Sequence, residues 1–245
     1  MPKYDMESFD PKAVRADSID TLSAQMVGWR KRVLEVGCAT GYMAEFLQTK
    51  RGCTVVGVEY DAESASRSEA RGVRTIVGDA ESTVTISAIM ADVEHGGQFE
   101  VVLASAVLEH LRYPEALLER VHRFLTPNGY LVVTLPNIAH WIMRRNLILG
   151  RFRYEQYGLL DETHLRFYTV ETARELLATS GFQVVRCAFD PGEGIPLLSA
   201  AARHMKWLKR GEARVTALRP GLLAYQTAFL ARPCRTTSGA EVSGV

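Results

Sequence analysis

Hydrophobic and polar residues follow two alternating patterns along this chain. Short apolar runs are each followed by a stretch in which apolar residues recur every three or four positions. The short runs predict buried strands, and the stretches between them predict amphipathic helices. The predicted strands are Val33–Val36, Thr54–Glu59, Val73–Val77, Phe99–Ala104, Tyr130–Leu135, Phe182–Phe189 and Ala224–Ala231.

Local signals mark where several of the predicted helices begin and end. Pro114 is expected in the first turn of one helix, and the Thr-Pro-Asn-Gly of residues 126–129 is expected to stop it. Thr169 is predicted to cap a later helix that ends at Gly181. Strands that alternate with helices form right-handed βαβ units. The pattern therefore predicts an α/β fold, a doubly wound and mostly parallel sheet with helices on both faces.

The chain is expected to form one domain over residues 1–235, followed by a flexible tail over 236–245. Residues 1–31 are predicted to lead helically into the first strand, and residues 190–221 to form a helical insertion. Residues 137–168 make a connection too long for a compact domain, which is typical of a functional segment, and we expect them to cover a substrate.

Composition narrows the range of function classes. With 47% hydrophobic and 23% charged residues the chain can build a sizeable core, and a formal net charge of +1 gives no strong field for nucleic acid or for an acidic membrane surface. There is no apolar signal core at the N-terminus and no apolar run of ~18 to 20 residues. The four cysteines have no C-x-x-C spacing, and no His/Cys/Asp group has metal-ligand spacing. We expect a cytoplasmic protein with free thiols, no metal, and neither nucleic acid nor membrane as a partner.

The most informative stretch is Val33–Phe46, which reads V-L-E-V-G-C-A-T-G-Y-M-A-E-F. Gly37 and Gly41 form the corner at the carboxyl end of the first strand, where open α/β sheets bind their ligands. Glycine permits positive φ at such a corner and lets a ligand approach the backbone. The G-x-x-x-G spacing lacks the third glycine of a dinucleotide site, because Tyr42 and Met43 stand there. A ligand with an adenosine but without phosphates is therefore favoured.

Acidic residues accompany three successive predicted strands. Glu59 closes the second strand, 18 residues after Gly41, where a carboxylate can accept both hydroxyls of a ribose. Asp79 follows the third strand, where an acid can accept the exocyclic amine of an adenine. Glu35 lies inside the first strand, and a buried carboxylate is costly unless it is paired or hydrogen-bonded. A ligand ammonium or loop N–H groups are therefore expected beside Glu35.

Five stretches follow one another along the chain: VLEVGCATG, VVGVEYD, the GDA corner, FEVVLASAVLEHL and LTPNGYLVVTLPN. They resemble the motifs of class I S-adenosylmethionine (SAM)-dependent methyltransferases, in particular the small-molecule branch (types 11 and 23), over about residues 30 to 190. The resemblance implies a Rossmann-like sheet of seven strands with the last one antiparallel. It also implies SAM as cofactor and S-adenosylhomocysteine (SAH) as product. The cofactor-binding residues that it implies are Glu35, Gly37, Cys38, Gly41, Glu59, Tyr60, Asp79, Ala80, Ser105 and Val107.

The covering segment also contains the candidates for acid–base chemistry. An activated methyl group needs an acceptor held in line and shielded from water. If the acceptor is a hydroxyl, an imidazole suits proton removal at neutral pH. His164 is the first candidate for this base and His140 the second, while Asp161 is expected to orient a histidine or to act alone.

The same segment suggests how an acceptor is held. His164, Arg166 and Tyr168 alternate with apolar residues, a period of two that predicts one shared face. Arg166, together with Arg144 or Arg145, is expected to hold an anionic group. The predicted substrate-binding residues are Arg166, Arg144 and Tyr168.

These observations predict a methyltransferase that acts on a small molecule. We expect O-methylation of a hydroxyl or acidic oxygen in a sugar, an antibiotic or another secondary metabolite, and a homodimer is compatible with the sequence. The alternatives are an RNA or protein methyltransferase, a nicotinamide-dependent oxidoreductase, and a non-catalytic cofactor-binding scaffold. Near-zero net charge and the absence of an N-P-P-Y-like tetrapeptide after the fourth strand disfavour the first, and the missing third glycine disfavours the second.

Overall fold

The fold is organised around a single sheet of seven strands. A computed structural model describes residues 9–11, 14–192 and 214–234. The strands lie in the order β3-β2-β1-β4-β5-β7-β6. All neighbours from β3 to β5 pair in parallel, whereas β7 runs antiparallel to both β5 and β6. The strands are β1 Arg32–Val36, β2 Thr54–Glu59, β3 Arg74–Val77, β4 Phe99–Ser105, β5 Leu125–Pro136, β6 Phe182–Asp190 and β7 Gln226–Pro233.

Helices connect the strands as the apolar spacing predicts. The helix expected at Pro114 begins there, and the side chain of Thr169 caps the helix that follows it. A short 3₁₀ helix, Leu108–His110, follows β4. The α-helices are α1 Ile19–Val27, α2 Tyr42–Arg51, α3 Ala62–Ala70, α4 Thr83–Gly96, α5 Pro114–Phe124, α6 Trp141–Ile148, α7 Val170–Thr179 and α8 Pro220–Leu223.

Two hydrophobic cores lie on opposite faces of the sheet. On one face Leu34 and Val36 pack with the apolar stripes of α4, α5 and α7. On the other face Val33 packs with side chains of α1 and α2. Successive residues of one strand thus enter different cores, because side chains alternate across a sheet. The predicted fold class, a doubly wound α/β sheet with an antiparallel last strand, is confirmed.

Two strands differ from the prediction by more than one residue. β5 begins at Leu125 and not at Tyr130, because Leu125 is buried and pairs with Phe99, and residues 126–129 form an irregularity within the strand. The last strand begins at Gln226, two residues later than predicted. The residues before it do not pair in the sheet. The Ala224 carbonyl instead accepts a hydrogen bond from the side chain of Asn137.

The segments outside the sheet are only partly described. Within the predicted lead-in, α1 is fixed to the end of β6, because Ile19 N donates to Asp190 Oδ2 (3.0 Å) and Arg15 pairs with the same carboxylate. Most of the predicted insertion over 190–221 and the tail over 236–245 lie outside the described residues, so the predicted domain limits remain predictions. In the described ranges, no helix has both the length and the apolarity to cross a bilayer.

The corner at Gly41 requires glycine for two separate reasons. Its φ is +78°, a left-handed conformation that side chains disfavour. In addition, a Cβ atom there would lie 2.6 Å from Ser68 Oγ and 2.9 Å from Ser68 Cα. Close packing between the start of α2 and α3 therefore depends on the missing side chain.

Gly72 offers a matched control for a substitution at Gly41. It has the same φ of +78°, yet nothing lies within 4 Å of its virtual Cβ atom. We expect Gly72→Ala to lower the free energy of unfolding by about 1 to 2 kcal/mol through backbone strain alone. Gly41→Ala should cost about 1 to 3 kcal/mol more, because Ser68 must also move. Urea unfolding of both variants measures the difference, and equal losses would contradict the packing argument.

Candidate active site

A cleft opens at the carboxyl edge of the sheet, above the ends of β1, β2, β3 and β4. Its volume is about 650 Å³, within the usual range for small-molecule sites. Six of the residues predicted to bind a cofactor line it: Gly37, Glu59, Tyr60, Asp79, Ala80 and Val107. Residues that sequence reasoning did not select also line it: Ala39, Asp61, Glu81, His110, Arg112, Thr163 and Leu165 among others.

The turn after β1 brings backbone close to the loop after β4. A Cβ atom on Gly37 would lie 2.6 Å from Val107 Cγ2, so no side chain fits at this position. Ala39 and Ala106 have φ values of +47° and +52°, which are uncommon for residues other than glycine. Both alanines line the cleft, and backbone strain of this kind clusters at functional sites.

Glu59 is held in place by two loops at once. Its Oε2 accepts the Ala39 amide at 2.9 Å and its Oε1 accepts the Asp61 amide at 3.0 Å. The residue is only 6% exposed, and it lines the cleft. Each oxygen keeps a second acceptor site, because a carboxylate offers about four lone-pair positions. The carboxylate is therefore fixed, and it can accept two neighbouring hydroxyls.

Asp79 reaches the cleft from the loop after β3. Its Oδ1 accepts the Glu81 amide at 2.8 Å. The cap of α4 is Ser82, whose hydroxyl accepts from Val84 N, so Asp79 is not needed as the helix cap. A side chain placed in this way can accept from a ligand amine.

Glu35 lies beneath this region, outside the cleft lining. It is buried, and its Oε2 has no hydrogen-bond partner among the described residues. Burial raises its pKa to about 8, with smaller contributions from Asp20 and Glu59. Burial also raises the pKa of Asp20, which accepts the Tyr42 hydroxyl at 3.4 Å. A buried carboxylate beside a second, partly buried acid favours a positively charged ligand group nearby. The ammonium of SAM fits that requirement, as the ribose fits Glu59.

A family model described as a methyltransferase domain matches residues 8–186. The chain belongs to the methyltransferase family. A SAM-dependent methyltransferase from Archaeoglobus fulgidus has a similar fold, with a TM-score of 0.57 and 20% identity over 86% of this chain and 93% of that one. The CcbJ methyltransferase from Streptomyces caelestis has a TM-score of 0.58 and 15% identity, with 94% of each chain covered. These matches confirm the family, the fold and the cofactor class predicted from the sequence.

Curated relatives match about half of this methyltransferase. A ubiquinone biosynthesis O-methyltransferase from Psychrobacter cryohalolentis is 30% identical over 124 residues, which are 51% of this chain and 47% of the relative. The enzyme of the same name from Pseudomonas aeruginosa is 32% identical over 107 residues, 44% of this chain and 45% of the relative. The chain spans about half the length of the curated relatives it matches.

Three of the residues assigned to the cofactor lie away from the cleft. The thiol of Cys38 faces Ser68 (3.7 Å), and burial raises its pKa to about 12. Gly41 packs against α3, and Ser105 Oγ lies 3.0 Å from Thr134 Oγ1. The order of residues along a loop does not fix the direction in which each side chain points. Here that direction is set by packing against Ser68, α3 and Thr134.

The structure places two of the predicted catalytic residues in structural roles. His140 is buried and caps α6, with Nδ1 accepting the Ile142 amide at 3.5 Å. Burial lowers its pKa to about 4, and it does not line the cleft. Asp161 Oδ1 accepts the amide and the hydroxyl of Thr163 (2.8 and 2.6 Å), so it shapes the loop that carries His164.

The predicted substrate residues likewise do not line the cleft. Arg144 and Arg166 donate to the carbonyls of Ala139 and Arg112, and Tyr168 is buried, which raises its pKa to about 12. The period of two over residues 164–168 is not a strand in the structure.

One carbonyl group explains why residues 164–168 do not form the predicted extended strand. Leu165 N and Arg166 N both donate to the Glu109 carbonyl (2.9 and 3.0 Å), which bends the chain at these two residues. Leu165, expected to face away from the polar side chains that bind substrate, consequently lines the cleft.

A second group of polar side chains stands beside the part of the cleft lined by His110, Thr163 and Leu165, here called its acceptor end. One ligand-type atom each of Glu109, His110 and His164 lie within 4.8 Å of one another. The two imidazole rings are 4.8 Å apart, and His110 lines the cleft. Burial raises the pKa of Glu109 to about 8. The Leu-Glu-His sequence after β4 was the only hint of this group in the sequence. The contact with His164 exists only in the folded chain.

We expect Glu59→Gln to raise the dissociation constant of SAH by roughly 10- to 150-fold. The substitution removes a charged acceptor worth about 1.5 to 3 kcal/mol and leaves one backbone amide without its acceptor. Isothermal calorimetry measures the affinity, and Glu119→Gln on the exposed side of α5 is the matched control. Wild-type affinity in the Glu59 variant would argue against a ribose site at this carboxylate.

We expect the ligand-free protein to lose stability as pH rises from about 5 to 8. The folded state keeps the proton of Glu35 up to a pKa of about 8, whereas the unfolded chain releases it near the ordinary carboxyl pKa of 4.5. Stability therefore falls with pH by up to about 1.4 kcal/mol per pH unit for this group. Glu35→Gln should flatten that slope in urea unfolding at several pH values, and Glu119→Gln should not. An unchanged slope in the Glu35 variant would refute the assignment.

Proposed function

We propose that this methyltransferase transfers a methyl group from SAM to an oxygen atom of a small-molecule acceptor. The observation that carries the proposal is that His110 lines the same cleft as Glu59 and Asp79. A nucleoside-type site and an imidazole suited to act on a hydroxyl thus share one small-molecule space. Curated relatives named as O-methyltransferases support transfer to oxygen.

The chain's residues fit the parts of SAM one by one. Glu59 would hold the ribose hydroxyls, Asp79 the adenine amine, and Glu35 with Asp20 the ammonium. When bound, SAM supplies a methyl group already activated on a sulfonium. The protein has to place the acceptor oxygen within ~3 to 3.5 Å in line with the bond that breaks, and to exclude water.

His110 is the side chain best placed to handle the acceptor's proton. Its Nδ1 lies 3.1 Å from both the carbonyl and the hydroxyl of Thr163. The carbonyl can only accept, and the hydroxyl donates to Asp161 (2.6 Å), so we assign the hydrogen to Nδ1 and the lone pair to Nε2. In an O-methylation the oxygen–methyl bond forms as the sulfur–methyl bond breaks, and the hydroxyl proton leaves to His110 or through it to solvent. His164, whose ring contacts that of His110, supports this arrangement.

The surface beyond the cleft suggests which acceptors approach. Residues 144–157, here called the exposed strip, carry six large exposed apolar or aromatic side chains beside four arginines. This combination favours an acceptor with both an apolar part and an anionic group. A sugar, antibiotic or other secondary metabolite meets the description, as does a phenolic precursor of the kind implied by the relatives' name. We further propose a cytoplasmic location, and a homodimer is compatible with this surface.

Two other functions remain as outcomes of the test. A methyltransferase for RNA or protein is disfavoured by the net charge of +1. A scaffold without methyl transfer is worth testing, because the [4+2]-cyclase SpnF has a similar fold, with a TM-score of 0.56 and 17% identity over 92% of this chain and 85% of that one.

The proposal predicts SAH formation from SAM with at least one acceptor in a panel of phenols, sugars and hydroxylated natural products. His110→Ala should lower kcat by roughly 100-fold, in the range for loss of an acid–base group, while the SAH dissociation constant stays within about twofold. His95→Ala, on the exposed surface of α4, is the control and should leave both unchanged. Release of SAH measures turnover, and calorimetry measures the affinity for SAH.

Three results would overturn this function. SAH bound with no turnover of any acceptor would favour the scaffold. A salt-sensitive gel shift with RNA would favour a nucleic-acid substrate. Full activity of His110→Ala would show that the imidazole takes no part in the reaction.

A further inference from the structure

Glu109, His110 and His164 form a cluster that the cofactor contacts do not use. One ligand-type atom from each lie within 4.8 Å of one another. Glu109 and His110 belong to the 3₁₀ helix after β4, whereas His164 comes from the covering segment, distant in sequence. Two imidazoles and one carboxylate are a common donor set for divalent transition metals.

The side chain of Glu109 is a separate reason to expect a cation. It is 1% exposed, and its Oε2 has no hydrogen-bond partner in the described structure. A buried carboxylate without a compensating charge costs several kcal/mol. A divalent ion at this oxygen would remove that cost and would account for an acid beside two histidines.

Backbone and side-chain hydrogen bonds already hold the three groups together. The Glu109 carbonyl accepts the amides of Leu165 and Arg166, which fixes the loop of His164 against the 3₁₀ helix. His110 Nδ1 lies 3.1 Å from the Thr163 carbonyl, and Asp161 holds Thr163 in turn. Outer hydrogen bonds of this kind orient metal-binding histidines and set which nitrogen faces the ion.

We propose that Glu109, His110 and His164 bind one divalent transition-metal ion whose remaining coordination positions open to the acceptor end of the cleft. Ligand atoms around an ion bound at about 2.1 Å stand about 3.4 Å apart. The three groups, whose ligand-type atoms lie within 4.8 Å of one another, must therefore approach by up to about 1.4 Å. Two nitrogen donors favour Zn²⁺, Mn²⁺, Fe²⁺ or Co²⁺ over Ca²⁺ and Mg²⁺.

This site would also define the acceptor more closely. With the ion bound, the lone pair of His110 Nε2 would serve as a metal ligand and no longer as the base. The ion itself would lower the pKa of a bound acceptor hydroxyl, which would lose its proton to solvent near neutral pH. Acceptors with two neighbouring oxygens, such as vicinal diols or catechols, would bind the ion most tightly, because both oxygens can coordinate it. This step rests on the proposed O-methylation, whereas binding of the metal does not.

Cobalt provides a readout that is independent of activity. The full chain, treated with a chelator and dialysed, is titrated with Co²⁺ while its visible absorption is recorded. We expect saturation near one ion per chain and at least a 10-fold weaker affinity in Glu109→Gln and in His164→Ala. His95→Ala is the control and should bind as the wild type does. An SAH affinity within about twofold of the wild type shows that each variant is folded.

The outcomes separate this site from the proposed function. No saturable Co²⁺, Zn²⁺ or Mn²⁺ binding, or equal binding by Glu109→Gln, overturns the metal site. Turnover that survives chelation overturns only the role of the metal in deprotonation, and it leaves the O-methyltransferase standing. Metal binding that depends on Glu109 and His164, without methyl transfer to any acceptor, supports the site and rejects the proposed function.

Discussion

The bonds from the Ala39 and Asp61 amides to Glu59 are the constraint on which the cleft depends. They join the loop after β1 to the loop after β2 through one buried carboxylate. The pairing is possible because adjacent parallel strands end at the same edge of a sheet, so their loops are neighbours in space. The unusual backbone conformation of Ala39 is maintained by this bond, which points its amide at the carboxylate.

The same kind of contact recurs along the edge. Glu81, after β3, accepts the amides of Arg112 and Tyr113 after the 3₁₀ helix. Asp161 holds Thr163 in the covering segment. Carboxylate-to-amide bonds thus connect loops that have no sheet hydrogen bonds of their own. Charge-assisted bonds of this type are shorter and stronger than neutral ones, which suits loops that must keep a fixed shape.

Other buried acids are less well compensated, and they indicate where ligands bind. Glu35 lies beneath the nucleoside-type part of the cleft, and Glu109 stands at its acceptor end. In both, one carboxylate oxygen is buried and has no hydrogen-bond partner among the residues that the structure describes. A sequence optimised only for stability would place apolar residues at these positions. Two separate positive charges would compensate the two acids: the ammonium of SAM at Glu35 and a metal ion at Glu109.

The sequence by itself determined the order and type of the elements, because apolar periodicity and the cap at Thr169 are local properties of the chain. It also predicted that Gly37, Glu59 and Asp79 meet at one edge, since each ends or directly follows a strand and parallel strands end together, and the three do line one cleft. Only the tertiary structure decided the acceptor half. There the Glu109 carbonyl bends the chain at Leu165 and Arg166, turns Leu165 into the cleft, and brings His164 beside His110. Contacts between residues so distant in sequence leave no periodic signal, which is why His140 and Arg166 were plausible choices and why the cluster around Glu109 was not foreseen.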